Sequence, residues 1–110
     1  MTGGWITQAD RARWQRQAAA ELASILGHCD GLPLITWTVS ASGGSVCGRV
    51  TGPAPAAGVR GVFTAWQEAL GMGDVLEAAV AGGTRLRARG WRGGVRVTVT
   101  ATIPGGEGTP

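Results

Sequence analysis

Residues 84–103 read TRLRARGWRGGVRVTVTATI, and this stretch decides the fold. Apolar and polar residues alternate on both sides of Gly93–Gly94, which is the period of a β-strand with one buried face. Two adjacent glycines can both adopt a positive φ, so the pair predicts a tight hairpin turn. The cross-strand pairs predicted for the apolar face are Gly90 with Val97, Ala88 with Val99, Leu86 with Ala101 and Thr84 with Ile103.

The opposite face of this hairpin is polar and basic. Its predicted pairs are Trp91 with Arg96, Arg89 with Thr98, Arg87 with Thr100 and Arg85 with Thr102. The 110-residue chain has a net charge of +3, but that charge is unevenly distributed. Residues 84–103 hold five arginines and no acid, whereas residues 1–83 hold five arginines and six acids. The positive charge therefore belongs to one short segment and, once the hairpin forms, to one surface.

A second hairpin is predicted around Gly43–Gly44. Residues 35–41 alternate between apolar side chains and Thr or Ser, and residues 46–51 supply a second strand. With Gly43–Gly44 as the turn, the apolar pairs are Ala41 with Val46, Val39 with Gly48 and Trp37 with Val50. The polar pairs are Ser40 with Cys47, Thr38 with Arg49 and Thr36 with Thr51. Both strands agree on which face is apolar, as a stable register requires.

Two helices are predicted, one before each hairpin. Thr7 and Asp10 form a variant of the capping box, so the first helix should cover residues 8–27. The second helix has one apolar stripe and can accept Pro55 in its first turn. The stripe consists of Val59, Phe63, Trp66 and Leu70. Residues 75–81 are compatible with a helix or a strand, and the following Gly82–Gly83 favours a strand.

These elements predict an α+β fold. We expect a two-layer sandwich in which an antiparallel sheet of two Gly-Gly hairpins, with an additional strand at 75–81, is covered on one face by two helices. The predicted order is α-β-β-α-(β)-β-β. Residues 1–103 would form a single domain, followed by a flexible tail at 104–110, which is rich in Gly and Pro.

Composition and motifs exclude several functional classes. No apolar run reaches the roughly 18 residues of a membrane span. No secretory signal is expected, and Cys29 and Cys47 are predicted to be reduced thiols, so we expect a cytoplasmic protein. The chain has none of the phosphate-binding, nucleophile-elbow or zinc-protease motifs. His28-Cys29-Asp30 lacks the ligand number of a metal site, and we expect His28 to interact with the helix dipole. We therefore predict no catalytic residues, no metal and no cofactor.

The polar sheet face is the candidate site. Its proposed contact residues are Arg49, Arg85, Arg87, Arg89, Trp91 and Arg96. This face is compatible with an ordinary solvated surface, a homodimer or acidic-partner surface, or a nucleic-acid surface with Arg on phosphates and Trp91 on a base. We predict a non-catalytic interaction or regulatory accessory module that forms a homodimer through this face. The alternative is a nucleic-acid-binding accessory protein that uses the same residues.

Three segments carry a resemblance to other proteins. They are LPLITWTVSASGGSVCGRV at residues 32–50, VFTAWQEALGM at residues 62–72, and GGTRLRARGWRGGVRVTVTATI at residues 82–103. Together they resemble small, uncharacterised proteins of high-GC actinomycete bacteria, and the absence of Lys, Asn and Tyr fits a GC-rich genome. The resemblance implies a cytosolic bacterial accessory protein, of the kind carried on mobile or prophage-like DNA. The resemblance implies no established activity for this chain.

Overall fold

The computed structural model describes residues 6–41, 43–51, 55–73 and 75–105. Two helices and five strands follow one another in the order α-β-β-α-β-β-β. They are α1 (Gln8–His28), β1 (Thr36–Val39), β2 (Ser45–Arg49), α2 (Ala56–Ala69), β3 (Leu76–Val80), β4 (Gly83–Arg92) and β5 (Val95–Pro104). The predicted α+β class, both helices and the additional strand are confirmed. Of the predicted tail, residues 106–110 lie outside the described residues.

The five strands form one sheet in the order β1-β2-β5-β4-β3. The sheet is mixed, so the prediction of a purely antiparallel sheet is wrong: β2 and β5 run parallel, with Val46 opposite Val97. The reason is the connection between the hairpins. After β2 the chain passes through α2 to the far edge at β3 and returns through β4, so that β5 enters between β4 and β2. β4 runs antiparallel to both β3 and β5, and β5 runs in the same direction as β2.

The β4–β5 hairpin has the predicted register. Leu86 lies opposite Ala101 and Trp91 lies opposite Arg96, and all eight predicted pairs are present. The turn glycines Gly93 and Gly94 have φ values of +56° and +81°. The pattern of alternation and the turn thus agree on one pairing, which places every side chain of both strands on its predicted face.

The β1–β2 hairpin differs from its predicted register. Val39 lies opposite Val46 instead of Gly48, a shift of two residues. The loop is longer than the predicted two-residue turn: Ser40 N donates to Ser45 O at 3.0 Å, and Ala41, Gly43 and Gly44 all lie in the loop. Gly43 packs its backbone against α1, so close that a Cβ there would lie 2.6 Å from Trp14 Cβ. A shift of two residues preserves the side-chain faces, because the strand period is two.

Both helices pack on the apolar face of the sheet. From α1 the core receives Ala18 and Ile25, and from α2 it receives Val59, Phe63 and Trp66. The strands contribute Val46, Leu86, Ala88, Val95, Val97, Val99, Ala101 and Ile103. Burial of each large apolar side chain contributes about 1.5–3 kcal/mol, so this single core holds the two layers together. Within the described ranges, neither helix combines the length and apolar character needed to cross a membrane.

The N-terminus of α1 carries the predicted capping box. The backbone N–H of Asp10 donates to Thr7 Oγ1, and the backbone N–H of Thr7 donates to Asp10 Oδ2, each at 3.1 Å. The helix ends at His28, one residue beyond the prediction. In α2, Pro55 occupies the N-cap instead of the first turn, where its missing N–H is equally harmless.

A matched pair of glycine variants tests the contact between the β1–β2 loop and α1. Gly43 and Gly44 have φ values of +80° and +81°, so either substitution by Ala strains the backbone by about 1–2 kcal/mol. A methyl group at Gly44 meets nothing within 4 Å, whereas one at Gly43 meets Trp14 Cβ and the backbone of α1. We expect Gly43→Ala to lower the free energy of unfolding by about 1–3 kcal/mol more than Gly44→Ala in urea denaturation. Equal losses would contradict this packing.

The capping box also predicts a pH dependence of stability. The pKa of Asp10 is lowered, first by the backbone N–H of Thr7, then by the Thr7 hydroxyl, and also by Arg13. A lowered pKa in the folded state stabilises the fold above about pH 4 and loses that effect as the pH falls through the folded-state pKa. Asp10→Asn should therefore be less stable than the wild type at pH 7, with a difference that shrinks on acidification. Thermal unfolding across pH measures this, and a pH-independent difference would refute it.

Candidate functional site

The sheet face opposite the helices is called the outer face here. Strand alternation places on it every second residue of each strand. β4 supplies Arg85, Arg87, Arg89 and Trp91; β5 supplies Arg96, Thr98, Thr100 and Thr102; β2 supplies Ser45, Cys47 and Arg49; β1 supplies Thr36 and Thr38; and β3 supplies Leu76, Ala78 and Val80. The six residues proposed from the sequence all lie on this face, and all six are exposed.

The outer face carries five arginines and no acid among the residues that the structure describes. Three of them follow one another along β4, at a spacing of about 6.7 Å between alternate residues. The ion pairs found in the described ranges join Arg13 to Asp10, Arg60 to Glu77 and Arg92 to Glu21, and all of them lie off this face. The charge of the outer face is thus uncompensated by described acidic side chains.

Arg92 belongs to the opposite side of the same hairpin. Its Nε donates to Glu21 Oε2 of α1 at 3.3 Å, and both side chains are partly buried. Next to it, Gln17 Nε2 donates to the carbonyl of Gly93 at 3.1 Å. These contacts hold the β4–β5 turn against α1. The sequence contains a signal for this role: Arg92 lies four residues after the buried Ala88, and side chains an even number of residues apart lie on the same face of a strand.

Trp91 ends the row of arginines on β4. Its side chain is 66% exposed, and the guanidinium carbon of Arg96 lies 5.1 Å from the centre of its ring. This cation–π contact is worth about 0.5–1 kcal/mol at an exposed site, and it holds the indole beside the strand. Around it lies a shallow depression of about 320 Å³, lined by Arg89, Gly90, Trp91 and Arg96. An exposed aromatic ring between guanidinium groups is chemically suited to stacking.

A second depression of about 290 Å³ lies further along the face, and we call it the arginine groove. It is lined by Cys47, Arg49, Arg85, Arg87, Thr100 and Thr102. The strand register explains the arrangement: Thr100 of β5 lies between Arg49 of β2 and Arg87 of β4. The two flanking strands are about 9.6 Å apart, so both long side chains can reach a group bound above Thr100.

Strand β3 adds an apolar border that the sequence analysis missed. Leu76 lies opposite Arg87 and is 50% exposed, and Ala78 lies opposite Arg85. Residues 75–81 are almost all apolar, so no alternation shows which of them face outward. The signal that fixes their side comes from the partner strand and is available only once β3 is paired.

The residues around His28 do not converge with Cys47. The imidazole Nδ1 of His28 donates to the carbonyl of Ser24 at 2.8 Å, and the side chain is exposed at the end of α1. Cys29 packs against the core, while Cys47 lies on the outer face, and both thiols are free and half-buried. In the part of the chain that the structure describes, no three His, Cys, Asp or Glu side chains are grouped to hold a metal ion.

Comparison with known proteins adds no identification. No family model matches the chain, and no curated protein or solved structure matches it either. The function is therefore inferred from the chemistry of the outer face.

Two arginine variants test the difference in charge compensation between the faces. Arg87→Gln removes one of several neighbouring positive charges, so we expect it to raise the free energy of unfolding by about 0.5 kcal/mol at low salt and by less at high salt. The matched variant Arg92→Gln removes the partner of Glu21 and should lower the free energy of unfolding by about 0.5–1 kcal/mol. The measurement is urea denaturation at two ionic strengths. A loss of stability in both variants would show that the outer arginines are compensated.

Proposed function

We propose that this protein is a non-catalytic interaction module whose outer face binds single-stranded nucleic acid. The observation that carries the proposal is a sheet face with five exposed arginines and no described acid. Like charges held side by side on a strand destabilise the free protein, and a bound polyanion relieves that repulsion. Binding of an anionic partner is thus the interaction that this face favours electrostatically.

The spacing and the aromatic residue support nucleic acid over an acidic protein segment. The arginines of β4 recur about every 6.7 Å, which is about twice the 3.4 Å axial rise per nucleotide of a stacked strand. Trp91 continues the same row, where its exposed ring can stack on a base. An acidic peptide would use the arginines but not the ring face. A strand of nucleic acid offers partners for both.

A second copy of the chain is the other candidate partner. Exposed apolar groups favour it, since Leu76 and Trp91 border the arginines and such residues anchor protein interfaces. Electrostatics oppose it, because a twofold contact through the same face brings ten guanidinium groups together. We therefore favour nucleic acid as the partner. Self-association would have to use contacts that keep the arginines of the two copies apart.

Fluorescence anisotropy with a labelled single-stranded 12-mer tests the proposal. If all five arginines contact phosphates, the slope of log affinity against log salt should be roughly −3.5. Arg87→Gln should reduce the steepness of that slope by about 0.7, and Trp91→Ala should cost about 1–3 kcal/mol of affinity. The matched control is Arg16→Gln, an exposed arginine of α1 without a described ion pair, which should leave affinity and slope unchanged.

Three results would overturn this assignment. The first is no binding of the 12-mer at about 50 mM salt. The second is equally tight binding of poly-glutamate, which would point to an acidic protein partner. The third is a dimer in sedimentation equilibrium without nucleic acid that becomes monomeric in the double variant Trp91→Ala, Arg87→Glu, which would identify a second copy as the partner.

A further inference from the structure

The arginine groove differs from the rest of the outer face in how many charges it gathers. The depression around Trp91 is lined by two arginines, Arg89 and Arg96, whereas the groove is lined by three, Arg49, Arg85 and Arg87. They come from two strands on either side of β5. Three arginines that line one groove can all contact a single compact anion.

The floor of the groove is suited to an oxyanion. Thr100 and Thr102 of β5 line the groove together with the arginines, and each has a hydroxyl group that can donate a hydrogen bond. Guanidinium groups offer planar pairs of N–H donors that match the oxygens of a phosphate. The groove therefore has charge, directional donors and a volume of about 290 Å³ for a tetrahedral anion.

Net charge separates the two kinds of phosphate in nucleic acid. An internal phosphodiester carries one negative charge, for which one arginine suffices. A phosphate monoester has a second pKa near 6 and therefore carries about −1.5 to −2 charges at pH 7. Three arginines around one group match the monoester, which nucleic acid has only at the end of a strand.

We infer that the arginine groove binds the terminal phosphate monoester of a nucleic-acid strand whose bases reach Trp91. This inference rests on the proposed function. The two sites are compatible with one ligand, because Arg87 and Trp91 are four residues apart on β4, about 13 Å along the strand. A short length of single strand can span that distance. The protein would then recognise strand ends in preference to internal positions.

The test compares 12-mers of one sequence that carry a phosphate at the 5′ end, at the 3′ end or at neither end. We expect one of the phosphorylated strands to bind roughly tenfold more tightly than the strand with two hydroxyl ends, the scale of one charge-assisted hydrogen bond. Arg49→Gln and Thr100→Val should abolish this ratio. Because each variant is compared with itself on different strands, a general loss of affinity or stability does not affect the result.

Matched controls lie on the same face, outside the groove. Arg96→Gln removes the same charge as Arg49→Gln and should weaken all strands while keeping the ratio. Thr98→Val, at a neighbouring half-buried position of β5, should also keep it. A ratio of one in the wild type, or equal loss of the ratio in Arg49→Gln and Arg96→Gln, overturns the groove site.

Inorganic phosphate separates this inference from the proposed function. Titrated into the ¹⁵N-labelled protein, it should shift the backbone amides around Arg49, Arg87 and Thr100 and leave those of α1 in place. Shifts confined to the groove in a protein that binds no 12-mer would keep the groove and reject the proposed function. Salt-dependent binding of all 12-mers with no effect of a terminal phosphate would keep the proposed function and reject the groove.

Discussion

The alternation along β5 is the constraint on which the rest of the structure depends. Val95, Val97, Val99, Ala101 and Ile103 are all buried, while the residues between them face outward. β5 is the central strand, paired with β4 on one side and with β2 on the other. A slip of one residue would bring Arg96 and three threonines under the helices, where unpaired charge is very costly. Burial of this one strand thus fixes the outer face of its neighbours.

The charge distribution follows from the same constraint. The arginines on the outer face have no described acidic partners. Arg92 lies on the opposite face of the same hairpin and pairs with Glu21. A guanidinium group close to the core needs a partner, while an exposed one is solvated by water. The sheet therefore separates two uses of the same side chain. Inward arginine holds the turn to α1, and outward arginines create a surface that attracts anions.

The features that depend on residues close together in the sequence were predicted correctly. The β4–β5 register was predictable because the two-glycine turn and the alternation agree over ten residues of each strand. The β1–β2 register was not, because Gly43 in the loop between the strands packs against Trp14 of α1, far away in the sequence. The side-chain faces were nevertheless predicted correctly, since a shift of two residues leaves parity unchanged. Which residues of β3 face outward could not be predicted from the sequence, because its residues are nearly all apolar.

The sequence by itself determined the two helices, the four strands of the two hairpins with their faces, and the concentration of arginine and threonine on one side of a hairpin. Only the tertiary structure decided that the hairpins join through a parallel β2–β5 pair, which brings Arg49 next to Thr100 and completes the arginine groove. The physical reason is the distance along the chain between the residues that interact. Alternation and turn chemistry act between residues close in the chain, whereas the choice of neighbouring strand depends on how α2 crosses the sheet and on which apolar surfaces it buries together.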